Sequence, residues 1–416
     1  MTDNFQRYCF VLGANPLLSV SEIVSLLPNY KVVSYSMEIL YVEGQEVSEV
    51  IIDQLGGTIK IIKISSDIDN NNINNEILIQ EIFKIIESYP RSNEAKLHFG
   101  ISVYDNRGAQ SIIHHLSQSL QAMYRTLKEK SRNSGINLAF VNSKERHLSS
   151  ASVQKNKLCQ KHGLEVSLIV SDKKILIGIT KAVQDIDKYS HFDIDRPVRD
   201  LKSGTTPPKL AKIMINLAKQ NKDATIIDPF CGSGTFLQEM LLLGYKNIYG
   251  SDISPKAIND SRININWLKE QIKPDYNIDI FQSDVRRLSE IFNAETIDAV
   301  VSEGYLGPAL TKMLTDKQFN QFNSELTKFY SQTLTELSKV LYRSGRIVLA
   351  LPIYKTKKGN RYLSIGNVIN ELGLKNVIPF NDADDIYEQF ISQRKSIVYF
   401  RPDQYVLREI MILCKQ

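Results

Sequence analysis

The sequence predicts an α/β chain, in which an α/β sheet domain fills the C-terminal half and two smaller α+β regions precede it. From about residue 201, short apolar strands alternate with amphipathic helices, a pattern typical of a parallel sheet with helices on both faces. Before that point strands and helices are mixed without such alternation. The 416 residues also exceed what one hydrophobic core normally supports, so several domains are expected.

The N-terminal half divides at two polar segments. Residues 1–75 combine short β-rich runs with one helix and end at the Asn-rich residues 67–76, which have no apolar period. A second α+β region, 76–184, contains a long amphipathic helix over about 110–130. The polar and charged residues 185–200 predict a linker.

Residues 201–416 form the predicted sheet domain. Pro207 and Pro208 stand where a helix should begin, since a missing amide hydrogen costs nothing there. A long helix is predicted over about 316–341. The last two strands follow each other without a helix, so the sheet should end in an antiparallel hairpin. An α/β sheet that ends in this way is typical of class I methyltransferases.

Composition excludes several classes of protein. With 43% hydrophobic and 23% charged residues the chain is globular, and no apolar run approaches the ~20 residues of a membrane span. The N-terminus lacks the pattern of a secretory signal. Cys9, Cys159, Cys231 and Cys414 include no close pair, which argues against a zinc site or a disulfide framework. We therefore expect a cytoplasmic protein without a metal or a membrane partner.

Charge is distributed unevenly along the chain. Residues 1–90 hold 5 basic and 12 acidic side chains, whereas residues 91–199 hold 18 and 10. Within residues 125–161 there are 9 basic and 2 acidic side chains. Two interpretations stay open for this stretch, a solvated surface or a site for a polyanion. The residues predicted to bind a nucleic acid are Arg125, Lys128, Lys130, Arg132, Lys144, Arg146, Lys155 and Lys157.

A glycine-containing loop follows the first strand of the predicted sheet. Gly232 and Gly234 allow a tight turn and a close approach of the backbone to a ligand. Ser233 and Thr235 then open a helix whose free amide groups face the carboxyl ends of the strands. Leu237 occupies the third glycine position of the dinucleotide fingerprint, so that motif is absent.

Acidic residues close the first three strands and predict a nucleoside pocket. Asp252 is placed to accept hydrogen bonds from both ribose hydroxyls, and Asp284 to accept one from an adenine amino group, with Val285 packing on the ring. One strand-end Asp alone would often be a helix cap. The predicted pocket residues are Asp228, Phe230, Gly232, Ser233, Gly234, Thr235, Asp252, Ile253, Asp284 and Val285.

Two segments carry a family resemblance. DPFCGSGTFLQE (228–239) and RPVRDLKSGTTPPKLAKIMINLA (196–218) together resemble the THUMP-containing tRNA guanosine-N2 methyltransferases that act on guanosine 10. The resemblance implies S-adenosylmethionine as methyl donor and a THUMP region that binds the acceptor stem and 3′ end of tRNA. It also implies the domain order ferredoxin-like (1–75), THUMP (76–184), linker (185–200) and Rossmann-type methyltransferase (201–416).

The fourth strand ends at the predicted site of the target base. The family usually has Asp/Asn-Pro-Pro-Tyr/Phe at these positions, where this chain has Ser302, Glu303, Gly304 and Tyr305. The resemblance implies that Ser302 accepts a hydrogen bond from the exocyclic amine and that Tyr305 stacks on the base. Glu303 is expected to supply the negative charge that Ser302 lacks. Replacing Gly304 with Pro restores the usual motif and is expected to keep or raise activity if the site is catalytic.

The resulting function hypothesis is a tRNA methyltransferase that moves a methyl group from S-adenosylmethionine directly to guanosine N2. One alternative is an rRNA or DNA amino-methyltransferase. Another is a non-catalytic protein that binds S-adenosylmethionine and RNA through an altered motif. Some members of the family act with a small zinc-binding activating protein, so such a partner and a monomer are both open.

Overall fold

The computed structural model describes residues 5–72, 74–90, 96–199, 206–273, 276–308, 310–380, 385–401 and 404–415. The chain forms two compact units. One comprises Met1–Pro16 and Leu27–Lys188, and the other comprises Leu17–Leu26 and Tyr189–Gln416. The predicted boundary between linker and last domain, at residues 200 and 201, lies outside the described residues.

The strands and helices are numbered in chain order. The strands are β1 (Gln6–Leu12), β2 (Lys31–Tyr35), β3 (Ile39–Gly44), β4 (Thr58–Asp69), β5 (Leu97–Asn106), β6 (Leu138–Phe140), β7 (Gly163–Ser171), β8 (Lys174–Val183), β9 (Thr225–Asp228), β10 (Asn247–Asp252), β11 (Asn277–Gln282), β12 (Ile297–Glu303), β13 (Leu341–Thr356), β14 (Gly359–Tyr362), β15 (Leu374–Asn376), β16 (Ile397–Tyr399) and β17 (Val406–Lys415). The helices are α1 (Pro16–Leu26), α2 (Ile51–Gln54), α3 (Asn75–Ser88), α4 (Gln110–Asn133), α5 (Ser150–Lys155), α6 (Ile186–Ile194), α7 (Pro208–Leu217), α8 (Thr235–Leu242), α9 (Pro255–Ile272), α10 (Asp316–Val340) and α11 (Gly366–Glu371). Short 3₁₀ turns span Asn70–Asn72, Val285–Glu290 and Asp385–Phe390.

The first unit is built on one sheet with the strand order β2-β3-β1-β4-β8-β7-β5-β6. Alternate residues of β5, such as Phe99 and Ile101, pack on one face in a core with Leu116 and Leu127 of α4. The sheet is continuous across the predicted boundary at residues 75 and 76, because β4 pairs with β8. The division into a ferredoxin-like and a THUMP domain stays a prediction.

The second unit has the strand order β11-β10-β9-β12-β13-β17-β15. The strands from β11 to β13 run parallel, and β17 pairs antiparallel with β13, β15 and β16. The prediction of an α/β sheet that ends in an antiparallel hairpin is therefore confirmed. Apolar runs such as Ala299–Val301 are fully buried, as expected of a parallel sheet with helices on both faces.

Helix starts follow the local signals in the sequence. Pro207 and Pro208 open α7, and Ser254 caps α9 by accepting a hydrogen bond from the amide of Ala257. Thr315 and Gln318 form a capping box at the start of α10, the long predicted helix. The predicted linker differs, since part of it forms α6. None of the helices in the described part of the chain has both the length and the apolar character needed to cross a membrane.

Candidate functional site

A crevice opens at one edge of the second unit's sheet, where the carboxyl ends of β9, β10 and β12 meet. Asp228, Asp252 and Glu303 are the last residues of these three strands. The crevice measures about 1110 Å³, slightly more than the usual volume of a small-molecule site. Its lining includes Thr206, Phe230, Cys231, Gly232, Ser233, Thr235, Asp252, Ile253, Glu303, Gly304, Tyr305, Gln404 and Arg408.

The glycine-containing loop forms one wall of the crevice. Gly232 and Gly234 have φ angles of +52° and +89°, in the left-handed region where other residues are strained. Helix α9 fixes the loop, because Ser261 Oγ donates to the Gly232 carbonyl (2.7 Å) and Asn264 Nδ2 to the Ser233 carbonyl (2.8 Å). The loop ends at the start of α8, and the first amides of this helix have no partners within the helix.

Asp252 stands opposite this loop and retains acceptor capacity. Its Oδ2 accepts from the amide of Gly232 (3.1 Å) and its Oδ1 from the amide of Ser254 (2.9 Å). A carboxylate offers about four lone pairs, so each oxygen keeps one for a ribose hydroxyl. The neighbouring Ile253 is 64% exposed and offers apolar surface to a flat ring. These residues fit the adenosine part of S-adenosylmethionine.

Asp228 lies beneath the loop and is 1% exposed. Its Oδ1 accepts from Ser302 Oγ (2.5 Å) and from the amide of Phe230 (3.1 Å). Its Oδ2 is buried and has no hydrogen-bond partner among the described residues. Burial raises the pKa of Asp228 to about 7, against its ordinary 3.8, although the bond from Ser302 opposes this shift.

Ser302 stands near the end of β12 without lining the crevice. The side chain is fully buried, and its hydroxyl donates to Asp228. Direct acceptance from the target amine stays a prediction, and the buried position favours a supporting role. In that role Ser302 joins the end of β12 to the end of β9.

Glu303 is held by an arginine that the sequence pattern did not single out. The guanidinium of Arg408 donates from Nε to one carboxylate oxygen and from a terminal nitrogen to the other (3.3 Å). The two side chains are 11% and 7% exposed and both line the crevice. A sequence signal existed, because Arg408 and Glu409 interrupt the apolar strand VLREIMIL, and buried charges are normally paired.

Gly304 is packed against the buried side chain of Tyr330, which would have to move to admit a larger residue. A Cβ atom here would lie 2.9 Å from Cε1 of Tyr330 and closer still to its hydroxyl. The amide of Gly304 also donates to the carbonyl of Ala350 (3.1 Å), a bond that Pro cannot make. The expectation that Gly304→Pro would keep or raise activity stays a prediction, and both of these contacts argue against it.

Tyr305 faces the crevice from a backbone that is tied down. Its side chain is 55% exposed, whereas its carbonyl accepts from Tyr330 Oη (2.7 Å). The next carbonyl, of Leu306, accepts from Tyr354 Oη (2.8 Å). A large exposed ring on a fixed backbone is suited to stacking on a flat ligand.

Asp284 and Val285 lie away from the crevice. Asp284 binds Arg286 through both carboxylate oxygens, with Nε distances of 3.0 and 3.1 Å, and hydrogen bonds from Arg286 lower its pKa. It lines a separate groove of about 580 Å³ beside α10. Val285 is 4% exposed and belongs to the core. Their adenine-binding roles stay predictions and require Arg286 to release an oxygen.

The basic residues of the first unit are mostly exposed. Arg125, Lys128 and Arg132 follow each other on one face of α4, at i, i+3 and i+7. Lys130 is exposed on the same helix, and Lys144, Lys155 and Lys157 are exposed farther along the chain.

The topology brings half of these eight cations to one end of the first unit's sheet. Strands β6 and β7 run parallel to β5, so their starting ends share an edge. The end of α4, with Lys130 and Arg132, lies just before β6, and Lys155 and Lys157 lie just before β7. Arg146 differs, because it forms an ion pair with Glu38 and is half-buried.

The fold and the crevice together define a class of protein. The sheet order with antiparallel β17, the glycine-containing loop after β9 and the acid at the end of β10 are those of class I methyltransferases. The methyl donor of this class is S-adenosylmethionine.

Comparisons with known proteins agree with this class. Residues 196–358 match the RMKL-like methyltransferase domain. The chain is 32% identical over 192 residues to the tRNA (guanine(10)-N2)-dimethyltransferase of Methanocaldococcus jannaschii, which covers 45% of this chain and 49% of that protein. It is 31% identical over 124 residues to the probable tRNA (guanine(10)-N2)-dimethyltransferase of Methanothermococcus thermolithotrophicus, covering 29% of this chain and 74% of that protein.

The chain belongs to the tRNA (guanine(10)-N2)-dimethyltransferase family. It spans about half the length of the first of these relatives. The fold is similar to that of TrmN from Thermus thermophilus, with a TM-score of 0.54 and 15% identity over 99% of this chain and all of that one.

Proposed function

We propose that this protein transfers a methyl group from S-adenosylmethionine to N2 of a guanosine in tRNA, with guanosine 10 as the expected target. The observation that carries the proposal is the shared crevice. Asp252 and the glycine-containing loop form a nucleoside-binding wall, and Tyr305 presents an exposed ring to the same space. The names of the two relatives supply the substrate class.

The residues of the chain act mainly by positioning. When bound, S-adenosylmethionine would supply a methyl group on an electrophilic sulfonium and would keep the electron pair of the broken C–S bond as a neutral thioether, while the target amine gives up one proton. Asp252 holds the ribose, and the loop from Gly232 to Thr235 holds the remainder of the donor against the start of α8. Tyr305 stacks on the target base and keeps its amine in line with the methyl group. Orientation of this kind accounts for much of the rate enhancement of a direct transfer.

Ser302 and Asp228 support this arrangement from below. The Ser302 hydroxyl fixes one oxygen of Asp228, and the other oxygen is buried without a hydrogen-bond partner among the described residues. A partly ionised carboxylate there favours the positive charge of the bound donor. We assign Ser302 to this support rather than to direct contact with the target amine.

The first unit supplies the grip on tRNA. The exposed cations on α4 and before β7 bind phosphates, as the family resemblance implies for a THUMP domain. Within this proposal, residues 76–184 are the THUMP domain and residues 1–75 are the ferredoxin-like domain. Four cysteines without disulfides suit a cytoplasmic location.

Methyl transfer to competing nucleic acids tests the proposal. The chain is incubated with methyl-labelled S-adenosylmethionine and equal masses of unmodified tRNA, rRNA or duplex DNA. We expect label in tRNA, at least tenfold above the other two. Label mainly in rRNA or DNA would favour the alternative amino-methyltransferases, and binding of donor and tRNA without transfer would favour the non-catalytic alternative. Repeating an inactive reaction with a small zinc-binding activating protein tests the need for that partner.

A further inference from the structure

The Glu303–Arg408 pair has a position and chemistry that a purely structural ion pair does not need. Glu303 ends β12, next to the stacking residue Tyr305, and both members of the pair line the crevice. Strands β12 and β17 are already tied together through β13, which pairs with each of them. A buried ion pair is also a weak source of stability, because desolvation offsets much of its attraction.

Arg408 fixes the carboxylate of Glu303 and leaves it able to accept further hydrogen bonds. The guanidinium donates one hydrogen bond to each carboxylate oxygen and so occupies one lone pair on each. Each oxygen has a second lone pair, so two acceptors remain on a carboxylate whose orientation is set. The third guanidinium nitrogen lies 3.5 Å from Gln404 Oε1, which orients the arginine in turn.

The two carboxylate oxygens of Glu303 match the guanine edge better than the edges of the other bases that carry an amine. Guanine presents two adjacent donors, N1–H and N2–H, at the spacing of a carboxylate. Adenine and cytosine present one amine donor beside an unprotonated ring nitrogen, which would face a carboxylate lone pair and be repelled. We propose that Glu303, held by Arg408, is the residue that selects guanine at the target position. The inference rests on the proposed function and adds its base specificity.

Two RNA analogues test this inference without any change to the protein. Wild-type enzyme is given tRNA in which the target guanosine is replaced by 2,6-diaminopurine riboside, which keeps the 2-amino group but has no N1–H. A second tRNA carries N1-methylguanosine at the same place. We expect transfer to both to fall at least ~100-fold, because a site built on hydrogen bonds rejects analogues that leave its acceptors unpaired.

The variant Glu303→Gln tests the residue itself. The glutamine oxygen can accept from one nitrogen of Arg408 and from a 2-amino group, and the glutamine amide can donate to the unprotonated N1 of diaminopurine, although this amide faces the other guanidinium nitrogen donor to donor. We expect slower transfer to guanosine and faster transfer to diaminopurine, so that the preference changes by at least ~30-fold. Glu270→Gln, an exposed carboxylate on α9 of the same unit, is the matched control and should keep the wild-type preference.

The outcomes separate this inference from the function on which it rests. Equal wild-type transfer to guanosine and diaminopurine, or an unchanged preference in Glu303→Gln, would overturn the role of Glu303 and leave the methyltransferase intact. Failure of the wild type to methylate guanosine in any tRNA would overturn the proposed function, and the inference with it. Donor affinity and melting temperature of Glu303→Gln show whether a loss of transfer reflects unfolding. In that case the two analogue substrates, given to the wild type, still decide the role of Glu303.

Discussion

The hydroxyl of Ser302 donates a 2.5 Å hydrogen bond to the carboxylate of Asp228, and both side chains are fully buried. The bond links the end of β9, from which the donor-binding loop departs, to the end of β12, from which the target-base loop departs. The two halves of the proposed site therefore share one buried titratable group.

This group predicts a pH dependence of stability. Burial raises the pKa of Asp228 to about 7 from 3.8. Between these values the folded protein retains a proton that the unfolded chain has lost, so the free energy of unfolding falls as pH rises, and the effect ends above about pH 7. Asp228→Asn removes this titration. By calorimetry, the melting temperature of the wild type should fall more between pH 5 and pH 8 than that of the variant; equal changes would contradict the assignment.

Asp252 should hold the donor ribose. Replacing Asp252 with Ala removes two acceptors and also releases the amide of Gly232, so we expect the affinity for S-adenosylmethionine to fall roughly 10- to 100-fold. Isothermal titration calorimetry measures this directly. Asp279→Ala, an exposed carboxylate on the neighbouring β11, is the control and should bind normally. An unchanged dissociation constant for Asp252→Ala would show that the ribose lies elsewhere.

Tyr305 should stack on the target base. Stacking of a base on an aromatic ring is worth about 1–3 kcal/mol, so Tyr305→Ala should slow methyl transfer by at least ~10-fold while donor binding is retained. Tyr342→Ala removes another exposed tyrosine of the same unit, 47% exposed on β13, and should be neutral. Normal transfer by Tyr305→Ala would mean that the loop after β12 is only a turn.

Gly304 should tolerate neither Pro nor Ala. A new Cβ would meet the Tyr330 ring, and Pro would also remove the hydrogen bond to Ala350, so both variants should lose at least ~10-fold in transfer or melt at lower temperature. The double variant Gly304→Ala with Tyr330→Phe removes the closest atom and should recover part of the melting temperature, although it also removes the hydrogen bond to the Tyr305 carbonyl. Full activity of Gly304→Pro would contradict the arrangement of this loop.

The face of α4 should bind tRNA through phosphates. Changing Arg125, Lys128 and Arg132 together to Glu should weaken tRNA binding at least ~10-fold and flatten its dependence on salt, because fewer counterions are released. Donor binding should be unaffected. The control reverses three exposed lysines elsewhere in the same unit, Lys31, Lys84 and Lys173, for the same change in net charge. If both triple variants lost the same affinity for tRNA, the loss would reflect net charge in general and not a specific site on α4.

The sequence predicted the features that depend on local patterns. Strand and helix alternation, the proline start of α7 and the long α10 depend on periodicity and capping, which act over a few residues. The glycine-containing loop and Asp252 meet in the crevice because parallel strands place their carboxyl ends at one edge.

The features that the sequence did not predict depend on contacts between distant residues. Glu303 and Arg408 are 105 positions apart, and Asp228 and Ser302 are 74 apart, so neither pair has a local signature. The same holds for Tyr330, which fills the space where a motif comparison would have placed proline. Asp284 was predicted as a ligand from its spacing, and the structure pairs it with Arg286, two residues away, so its role as a ligand stays a prediction.

Mass-spectrometric nucleoside mapping of tRNA is the decisive measurement for the proposed methyl transfer. Unmodified tRNA is incubated with the chain and isotopically labelled S-adenosylmethionine, then digested with site-selective ribonucleases so that each labelled nucleoside is assigned to a position. We expect label in N2-methylated guanosine at position 10, reduced at least ~10-fold by Tyr305→Ala. Label in methylated adenosine or cytidine, or no label in a tRNA that binds together with donor, would contradict the proposed function.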